Sequence, residues 1–275
     1  MKENIEVMLL ARLEVSSHEG ITCAKTTIRV LGNSMDVCIY YFDGLLIDTG
    51  PVRASGLFWD FFNRKDIKKV ILTHYHEDHS GNAFLLKRKG LDIYANSNSM
   101  KLLEKRPSLP LYRRVFWGVR PGIKAIELPE NFSISGNKVN VIDTPCHSRD
   151  HVCFFVPNKG VMFTGDVFIS TKTKLFYKQE NYYQLMRDIK RLLEYDFDTL
   201  FCSHAGVVPN GKKMLRDKLE FLGQEKEKIL ELRKKGLSIK RIDKALHYKD
   251  TKFISLVSNF EMSSRNMVKS VIADE

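Results

Sequence analysis

The sequence predicts an α/β protein, an αββα sandwich in which two mixed β-sheets pack together and helices flank them. Strand-like apolar runs occur in two sets, at 28–31, 37–42, 45–47 and 70–72, and again at 92–95, 125–128, 139–142, 151–156 and 161–164. Both sets are joined to segments with apolar residues at helical spacing, such as 57–62 and 182–192. With 275 residues and 43% apolar content, the chain has enough apolar side chains for such a core.

The first set contains a hairpin. The runs 37–42 and 45–47 are separated by the Asp43-Gly44 pair, which favours a tight turn between antiparallel strands. The second run ends in L-I-D-T-G, so the hairpin delivers Asp48 to the end of a strand. At that place Asp48 could cap its own turn.

The chain after residue 210 changes to charged helical patterns. Leu215, Leu219 and Leu222 recur on one face, Gly236 marks an end, and shorter helical segments follow at 238–246, 253–260 and 264–272. We therefore predict a catalytic domain over residues 1–210 and a small helical appendage over residues 211–275. A helix-turn-helix or winged-helix-like unit is one arrangement of that appendage, and a lid over the site is another.

Composition narrows the class of protein. Five cysteines without a C-x-x-C pair predict no disulfide framework and a reducing compartment. Charged residues interrupt the N-terminal segment and no stretch is long and apolar enough to span a membrane, so we expect a cytoplasmic protein without a membrane partner. The net charge of +11 favours anionic partners, either a small substrate or nucleic acid. An oligomer is compatible with all of this.

The most informative motif is T-H-Y-H-E-D-H-S-G-N at residues 73–82, directly after the apolar run 69–72. His74 and His76 project from the same side of an extended segment, and Asp78 and His79 follow as the chain turns. One short loop can therefore ligate two adjacent cations. The alternative is a solvated polar loop.

Three further ligand types follow apolar runs later in the chain. They are His147 in V-I-D-T-P-C-H, Asp166 in V-M-F-T-G-D and His204 in L-F-C-S-H-A-G. Each of them stands at the end of an apolar run, as the histidine-rich loop does.

In their order along the chain, these motifs resemble those of the metallo-β-lactamase-fold hydrolase superfamily, over roughly residues 38–206. The hairpin ending in L-I-D-T-G matches that family's first motif. The tail after Lys212 is similar to the helical C-terminal regions of the hydroxyacylglutathione-hydrolase and RNA-cleaving branches. The resemblance implies a metal-dependent hydrolase with the sandwich fold predicted above.

The resemblance also implies the ligands of two zinc ions, with manganese or iron as alternatives. The first ion would be held by His74, His76 and His147, and the second by Asp78, His79 and His204, with Asp166 bridging. Two such ions bind a water and lower its pKa, which yields a hydroxide nucleophile. Asp78 is the candidate catalytic residue, because it could accept the proton of that water. His151 would lie behind the ligands or face the substrate. Asp48 would hydrogen-bond the outer nitrogen of a ligand imidazole, the alternative being the turn cap described above.

Cys146 departs from the family pattern, whereas the types of the predicted ligands bear on the branch of the family. Cys146 stands where glycine is common, as a small buried residue or as a thiol with metal contact or redox sensitivity. His76 stands where the flavodiiron branch has glutamate, which argues against that branch. The presence of both Asp78 and His79 favours two metals over the single iron of the persulfide dioxygenases.

The predicted substrate wall is the irregular segment 106–124, which contains no acidic residue, together with the segment 172–177. Guanidinium groups beside aromatic rings suit a carboxylate, a phosphate or stacked bases, although the same residues could fold onto the body as an ordinary surface loop. The candidate substrate-binding residues are Tyr112, Arg113, Arg114, Trp117 and Tyr177.

We predict a dinuclear-metal hydrolase that cleaves an anionic ester or thioester. The alternatives are a metal-dependent ribonuclease acting on single-stranded RNA through the basic loop and tail, and a mononuclear-iron sulfur dioxygenase. A DNA-reading tail with the metal centre as sensor is a further alternative.

Overall fold

The structure is a computed structural model that describes residues 10–30, 33–246 and 252–273. The first sheet has seven strands in chain order, β1 (Leu10–His18), β2 (Ile21–Val30), β3 (Asn33–Phe42), β4 (Leu45–Ile47), β5 (Lys69–Ile71), β6 (Ile93–Ala95) and β7 (Ile126–Glu127). Strands β1 to β4 pair antiparallel, and β4 to β7 pair parallel. The predicted hairpin of β3 and β4 is confirmed.

The remaining strands are β8 (Asn131–Ile134), β9 (Asn137–Asp143), β10 (Val152–Val156), β11 (Val161–Gly165), β12 (Phe176–Tyr177), β13 (Thr199–Cys202), β14 (Gly206–Val208) and β15 (Met262–Ser263). Six of them form the second sheet in the order β14-β13-β11-β10-β9-β8. Only the β11–β13 pair in this sheet is parallel. Every residue of β10 and β11 is buried, which explains their uninterrupted apolar sequences.

The described helices are α1 (Ser55–Asn63), α2 (Glu77–Ser80), α3 (Ala83–Arg88), α4 (Met100–Glu104), α5 (Leu111–Phe116), α6 (Tyr182–Leu192), α7 (Gly211–Lys234), α8 (Ile239–Ala245), α9 (Lys252–Val257) and α10 (Ser264–Ala273). Apolar residues of α1, α3 and α4 cover the outer face of the first sheet. Those of α6 and α7 cover the outer face of the second sheet. The predicted αββα sandwich is confirmed. The prediction of an irregular loop over 106–124 is wrong in part, because α5 lies within it.

Aromatic rings fill the space between the two sheets. Phe42 stacks on Phe163 with ring centroids 5.6 Å apart, and Tyr40 meets Phe201 edge-on at 5.2 Å. The Tyr40 hydroxyl donates to the carbonyl of Cys202 at 2.6 Å and so links the sheets by a buried hydrogen bond. This core fixes the ends of β4, β5, β11 and β13 at one edge of the sandwich, where the predicted ligands lie.

The C-terminal segment packs against the second sheet's helices. Met267, Val268 and Val271 of α10 belong to the same buried cluster as Phe176 and Tyr182. Strand β15 pairs antiparallel with β12, opposite Phe176 and Tyr177. The division into two domains at residue 210 stays a prediction. No helix within the described ranges combines the length and apolarity needed to cross a bilayer.

Candidate metal centre

The histidine-rich loop begins where β5 ends and closes with α2. Helix α2 starts directly after His76, whose backbone is extended at φ −57° and ψ 155°, and carries Glu77 and Asp78 in its first turn. Negative side chains are favoured there because the free amide groups of a helix start carry partial positive charge. The local sequence therefore places His74 and His76 before the turn and Asp78 and His79 within it.

Three histidines form the first group of possible metal ligands. Nδ1 of His76 lies 2.9 Å from Nε2 of His74 and 3.1 Å from Nε2 of His147. All three rings are buried, and their facing nitrogens lie within 4.8 Å of one another. A pair of neutral imidazoles can share only one proton, so three converging ring nitrogens are best satisfied by a common cation.

Asp78, His79 and His204 form the second group. Oδ2 of Asp78 lies 3.4 Å from Nε2 of His204 and 3.7 Å from Nε2 of His79. His204 follows β13 of the second sheet, whereas the other two residues follow β5 of the first sheet. This group therefore exists only when the two sheets are packed together.

Asp166 follows β11 and lies between the two groups. Its Oδ2 is 3.4 Å from Nε2 of His147 and 3.5 Å from Nε2 of His204, while its Oδ1 is 3.4 Å from Nε2 of His79. With His74 and His79 it makes a third possible ligand group. A single carboxylate thus reaches both groups, as a bridging ligand must. All seven predicted ligands are brought together.

The donor set fits a pair of divalent cations. Within the described chain, the buried atoms Oδ1 of Asp166 and Nε2 of His79 have no hydrogen-bond partner. Buried polar atoms in proteins are nearly always satisfied, and a carboxylate oxygen and an imidazole nitrogen that face the centre can both be satisfied as ligands of a cation. Imidazole and carboxylate bind zinc, and they also bind manganese and iron, so the side chains alone do not select among these metals.

The charges in the centre support cation binding. Burial raises the pKa of Asp166, but His204 and His79 outweigh it and hold that pKa well below its usual range. Burial and positively charged neighbours lower the pKa of His74 and His76 well below the usual value. Burial lowers the pKa of His79 and His204, but Asp166 outweighs it and holds both well above the usual value, so these two rings must lose a proton when a cation binds. Ionised carboxylates and neutral imidazoles are the forms that bind metals.

Asp48 lies behind the second group. Its Oδ2 is 2.8 Å from Nδ1 of His79, and its Oδ1 accepts the backbone N–H of Thr73 at 2.8 Å. The backbone of Asp48 has φ +61°, which is uncommon for a residue other than glycine. Two roles were predicted for Asp48, and its carboxylate makes the contact expected of the first, which is to orient a ligand imidazole. The contact with Nδ1 leaves Nε2 of His79 facing the centre.

His147 has an equivalent partner that the sequence analysis missed. Nδ1 of His147 lies 2.5 Å from Oε1 of Glu180, whose Oε2 accepts the backbone N–H of Tyr177 at 2.7 Å. Glu180 stands just before α6, 33 positions from His147. No local pattern marks such a contact. Its only sequence signal is an acidic residue beside the predicted wall segment 172–177.

His151 contacts the backbone of Asp166. Its Nε2 accepts the backbone N–H of Asp166 at 3.1 Å, and its Nδ1 lies 2.8 Å from Oγ1 of Thr144. Burial, reinforced by His147, lowers the pKa of His151 to about 3, so the ring is neutral and can accept at Nε2. A Cβ at Gly165 would meet Nε2 of His151 at 2.4 Å, which explains the glycine before Asp166.

The predicted substrate residues are placed differently from one another. The ring of Tyr177 lies over the first group, with its centroid 5.5 Å from that of His147 and 5.9 Å from that of His76. Trp117 packs in an apolar cluster with residues of β2 and β3. Tyr112 is half-buried and Arg114 is exposed. Substrate contact stays a prediction for all of them.

Arg113 is held by two carboxylates. It is 5% exposed, and its guanidinium lies 2.6 Å from Oε2 of Glu77 and 3.3 Å from Oε1 of Glu261. Glu77 belongs to the histidine-rich loop, and Glu261 directly precedes β15. Arg113 therefore ties the loop that carries four of the ligands to the C-terminal segment.

We expect Arg113→Met to lower the free energy of unfolding by about 3–5 kcal/mol, because it leaves the buried Glu77 carboxylate unpaired. Glu77→Gln in the same chain should restore part of that loss. Urea unfolding of the single and double variants measures both effects. The neighbouring exposed Arg114→Met is the control and should change stability by less than about 0.5 kcal/mol. Equal losses for the two arginine variants would show that the ion pair contributes nothing.

Comparison with known sequences identifies the family. The pattern of the "Metallo-beta-lactamase superfamily" matches residues 43–204, more than half of the chain. An atrochrysone carboxyl ACP thioesterase from Aspergillus fumigatus is 28% identical over 193 residues, which cover 68% of this chain and 55% of that protein. The lactamase-like protein nscB from Trichophyton equinum is 28% identical over 154 residues, 54% of this chain and 41% of that one. The chain thus spans about half the length of these curated relatives.

Solved structures show the same fold. A metallo-beta-lactamase from Pontibacter korlensis superposes with a TM-score of 0.60 at 18% identity, over 77% of this chain and 99% of that one. An archaeal metallo-beta-lactamase superfamily protein from Sulfolobus tokodaii superposes with a TM-score of 0.54 at 21% identity, over 69% of this chain and 80% of that one. Family pattern, sheet topology and the order of the ligand motifs agree, and this chain belongs to the metallo-beta-lactamase superfamily.

Proposed function

We propose that this protein is a dinuclear-metal hydrolase that cleaves an anionic thioester. The observation that carries the proposal is the pair of three-residue ligand groups joined by Asp166. The choice of a thioester is supported by the relative from Aspergillus fumigatus, whose name describes a thioesterase acting on an acyl carrier protein. Because the chain spans about half of that relative, the activity is proposed for this chain on the strength of its own site.

Two divalent cations in these groups would lower the pKa of a bound water and polarise the acyl oxygen. The chain's own contribution is to hold the ligands in place. Asp48 orients His79, and Glu180 orients His147. Nδ1 of His204 lies 2.7 Å from the backbone carbonyl oxygen of Asp36. Each of these contacts occupies the outward nitrogen and leaves Nε2 facing the centre.

Asp78 is the proposed proton acceptor. Its side chain is 8% exposed and lies at the start of α2, with Oδ2 near the Nε2 atoms of His79 and His204. Both histidines help to hold its pKa below the ordinary value against the effect of burial, so the carboxylate is ionised near neutral pH. An ionised carboxylate beside the attacking water can accept its proton as the water oxygen bonds to the acyl carbon, and can return that proton to the thiolate that leaves when the carbon–sulfur bond breaks.

The proposal predicts that the chain reconstituted with zinc, manganese or ferrous iron releases free thiol from acyl thioesters. Thiol release should stop on chelation and return when metal is added back, because the cations are needed to ionise the water and to polarise the acyl oxygen. Lactones, phosphodiesters and single-stranded RNA should be assayed beside the thioesters. Cleavage of RNA without any thioester turnover would favour the ribonuclease alternative. Activity with one iron per chain would contradict the dinuclear centre.

A further inference from the structure

Lys218 is a buried cation outside the ligand set. It lies in the middle of α7 and is 1% exposed, although lysine is almost never fully buried without a charged partner. In the described chain its Nζ donates to two backbone carbonyls, that of Val167 at 2.8 Å and that of Phe168 at 2.5 Å. An ammonium group has three N–H donors, so one is left for a further acceptor.

A small cavity adjoins Lys218 and the metal centre. Its walls come from the loop after β11, from α6 and α7, and from the segment before His147. The cavity measures about 30 Å³, room for roughly two water molecules, and its lining includes Cys146, His147, Asp166, Phe176, Leu185 and Lys218. Val167, whose carbonyl accepts from Lys218, directly follows Asp166, and Asp166 lines the same cavity.

The other ionisable groups of this wall are already engaged. His147 and Asp166 belong to the ligand set, and Glu180 is bonded to Nδ1 of His147 and to the backbone of Tyr177. The Cys146 thiol is buried in this wall. Lys218 is the one lysine or arginine among the described residues that line the cavity, and one of its three N–H groups is left for an anion there.

We propose that Lys218 binds the carboxylate of a short dicarboxylic acyl group, such as succinyl, whose thioester carbonyl lies at the metal centre. This inference rests on the proposed thioesterase function and names its substrate class. Arg113, the group that the sequence suggested for the anion, already pairs with Glu77 and Glu261. The small cavity selects an end group of two or three non-hydrogen atoms, which a carboxylate satisfies. Burial lowers the pKa of Lys218 to about 8, so the ammonium form still prevails at pH 7.

The test compares two synthetic thioesters of N-acetylcysteamine, succinyl and butyryl, which have the same number of acyl carbons. We expect the zinc-loaded wild type to show kcat/KM at least tenfold higher for succinyl. Lys218→Met should reduce that ratio at least tenfold, because methionine keeps the length of the side chain and removes its charge. Lys213→Met is the matched control, since Lys213 is an exposed lysine of the same helix that pairs with Asp217 and does not line the cavity, and it should keep the wild-type ratio.

Calorimetric titration of the zinc-loaded protein with succinate and butyrate gives a readout that needs no turnover. Wild type should bind succinate at least tenfold more tightly than butyrate, and Lys218→Met should lose the difference. If the wild type prefers succinate and Lys218→Met does not, but neither thioester is hydrolysed, the proposed function fails and the carboxylate site stands. If both thioesters are hydrolysed with equal kcat/KM by the wild type, the carboxylate site is overturned and the function stands. The wild-type comparison decides the matter even if Lys218→Met does not fold.

Discussion

Replacing Asp166 by asparagine is expected to remove both bound metal and turnover. Its two carboxylate oxygens face the first and second ligand groups from 3.4 Å, and an amide offers one weaker acceptor in place of two anionic ones. Loss of an outer partner of a ligand already weakens metal binding by about 10–100-fold, and loss of a shared ligand should exceed that. We expect kcat/KM to fall at least a thousandfold, which corresponds to about 4 kcal/mol of transition-state stabilisation.

Metal content after dialysis and thioester turnover are the two measurements for this variant. Asp196→Asn serves as control, because Asp196 is exposed, and it should keep both the metal and the activity. Circular dichroism shows whether the Asp166 variant is folded. A folded Asp166→Asn protein with two metals and normal turnover would rule out the bridging role of Asp166.

Gly81→Ala should be among the most destabilising single substitutions in the chain. A Cβ at this position would lie 2.5 Å from the carbonyl oxygens of Glu77 and Gly50 and 2.7 Å from the amide nitrogen of Val52. All three contacts are backbone atoms, so no side chain can rotate away. Overpacking usually costs 1–3 kcal/mol, and with rigid neighbours we expect about 3 kcal/mol or more, or roughly 10 °C in Tm.

Gly223→Ala is the matched control for that substitution. Gly223 lies inside α7 and an added Cβ there meets no atom within 4 Å, so alanine should stabilise the protein by up to about 1 kcal/mol. Thermal and urea unfolding of the two variants should therefore shift in opposite directions. Equal stabilities would mean that the close approach of α2 to the turn after Asp48 is not maintained in solution. Since His79 and Asp78 lie on α2, loss of bound metal should accompany the shift.

The residues of the site that the sequence predicts are either close to one another along the chain or placed directly after a strand. The loop 73–82 places four ligands within six positions, so their convergence depends only on one turn. His147, Asp166 and His204 follow apolar strands and were identified through the order of the family's motifs. Asp48 was found for the same reason, at the end of the β3–β4 hairpin.

The parts that were missed depend on contacts between distant segments. Glu180 reaches His147 across 33 positions, and Arg113 reaches Glu261 across 148. Nothing in the local sequence of Arg113 distinguishes a buried ion pair from a substrate ligand, since both require a guanidinium. Strand β1 was missed for a different reason: most of its described side chains are partly or fully exposed, so it lacks an apolar run.

The pairing of β12 with β15 has a consequence for how the protein is made. His204 is the last of the seven candidate ligands to leave the ribosome, yet β15, which pairs with the strand of Tyr177, and the Ser270 hydroxyl that donates to the carbonyl of Glu180 are translated later still. All the candidate ligands are therefore synthesised before the C-terminal contacts that support Tyr177 and Glu180 can form.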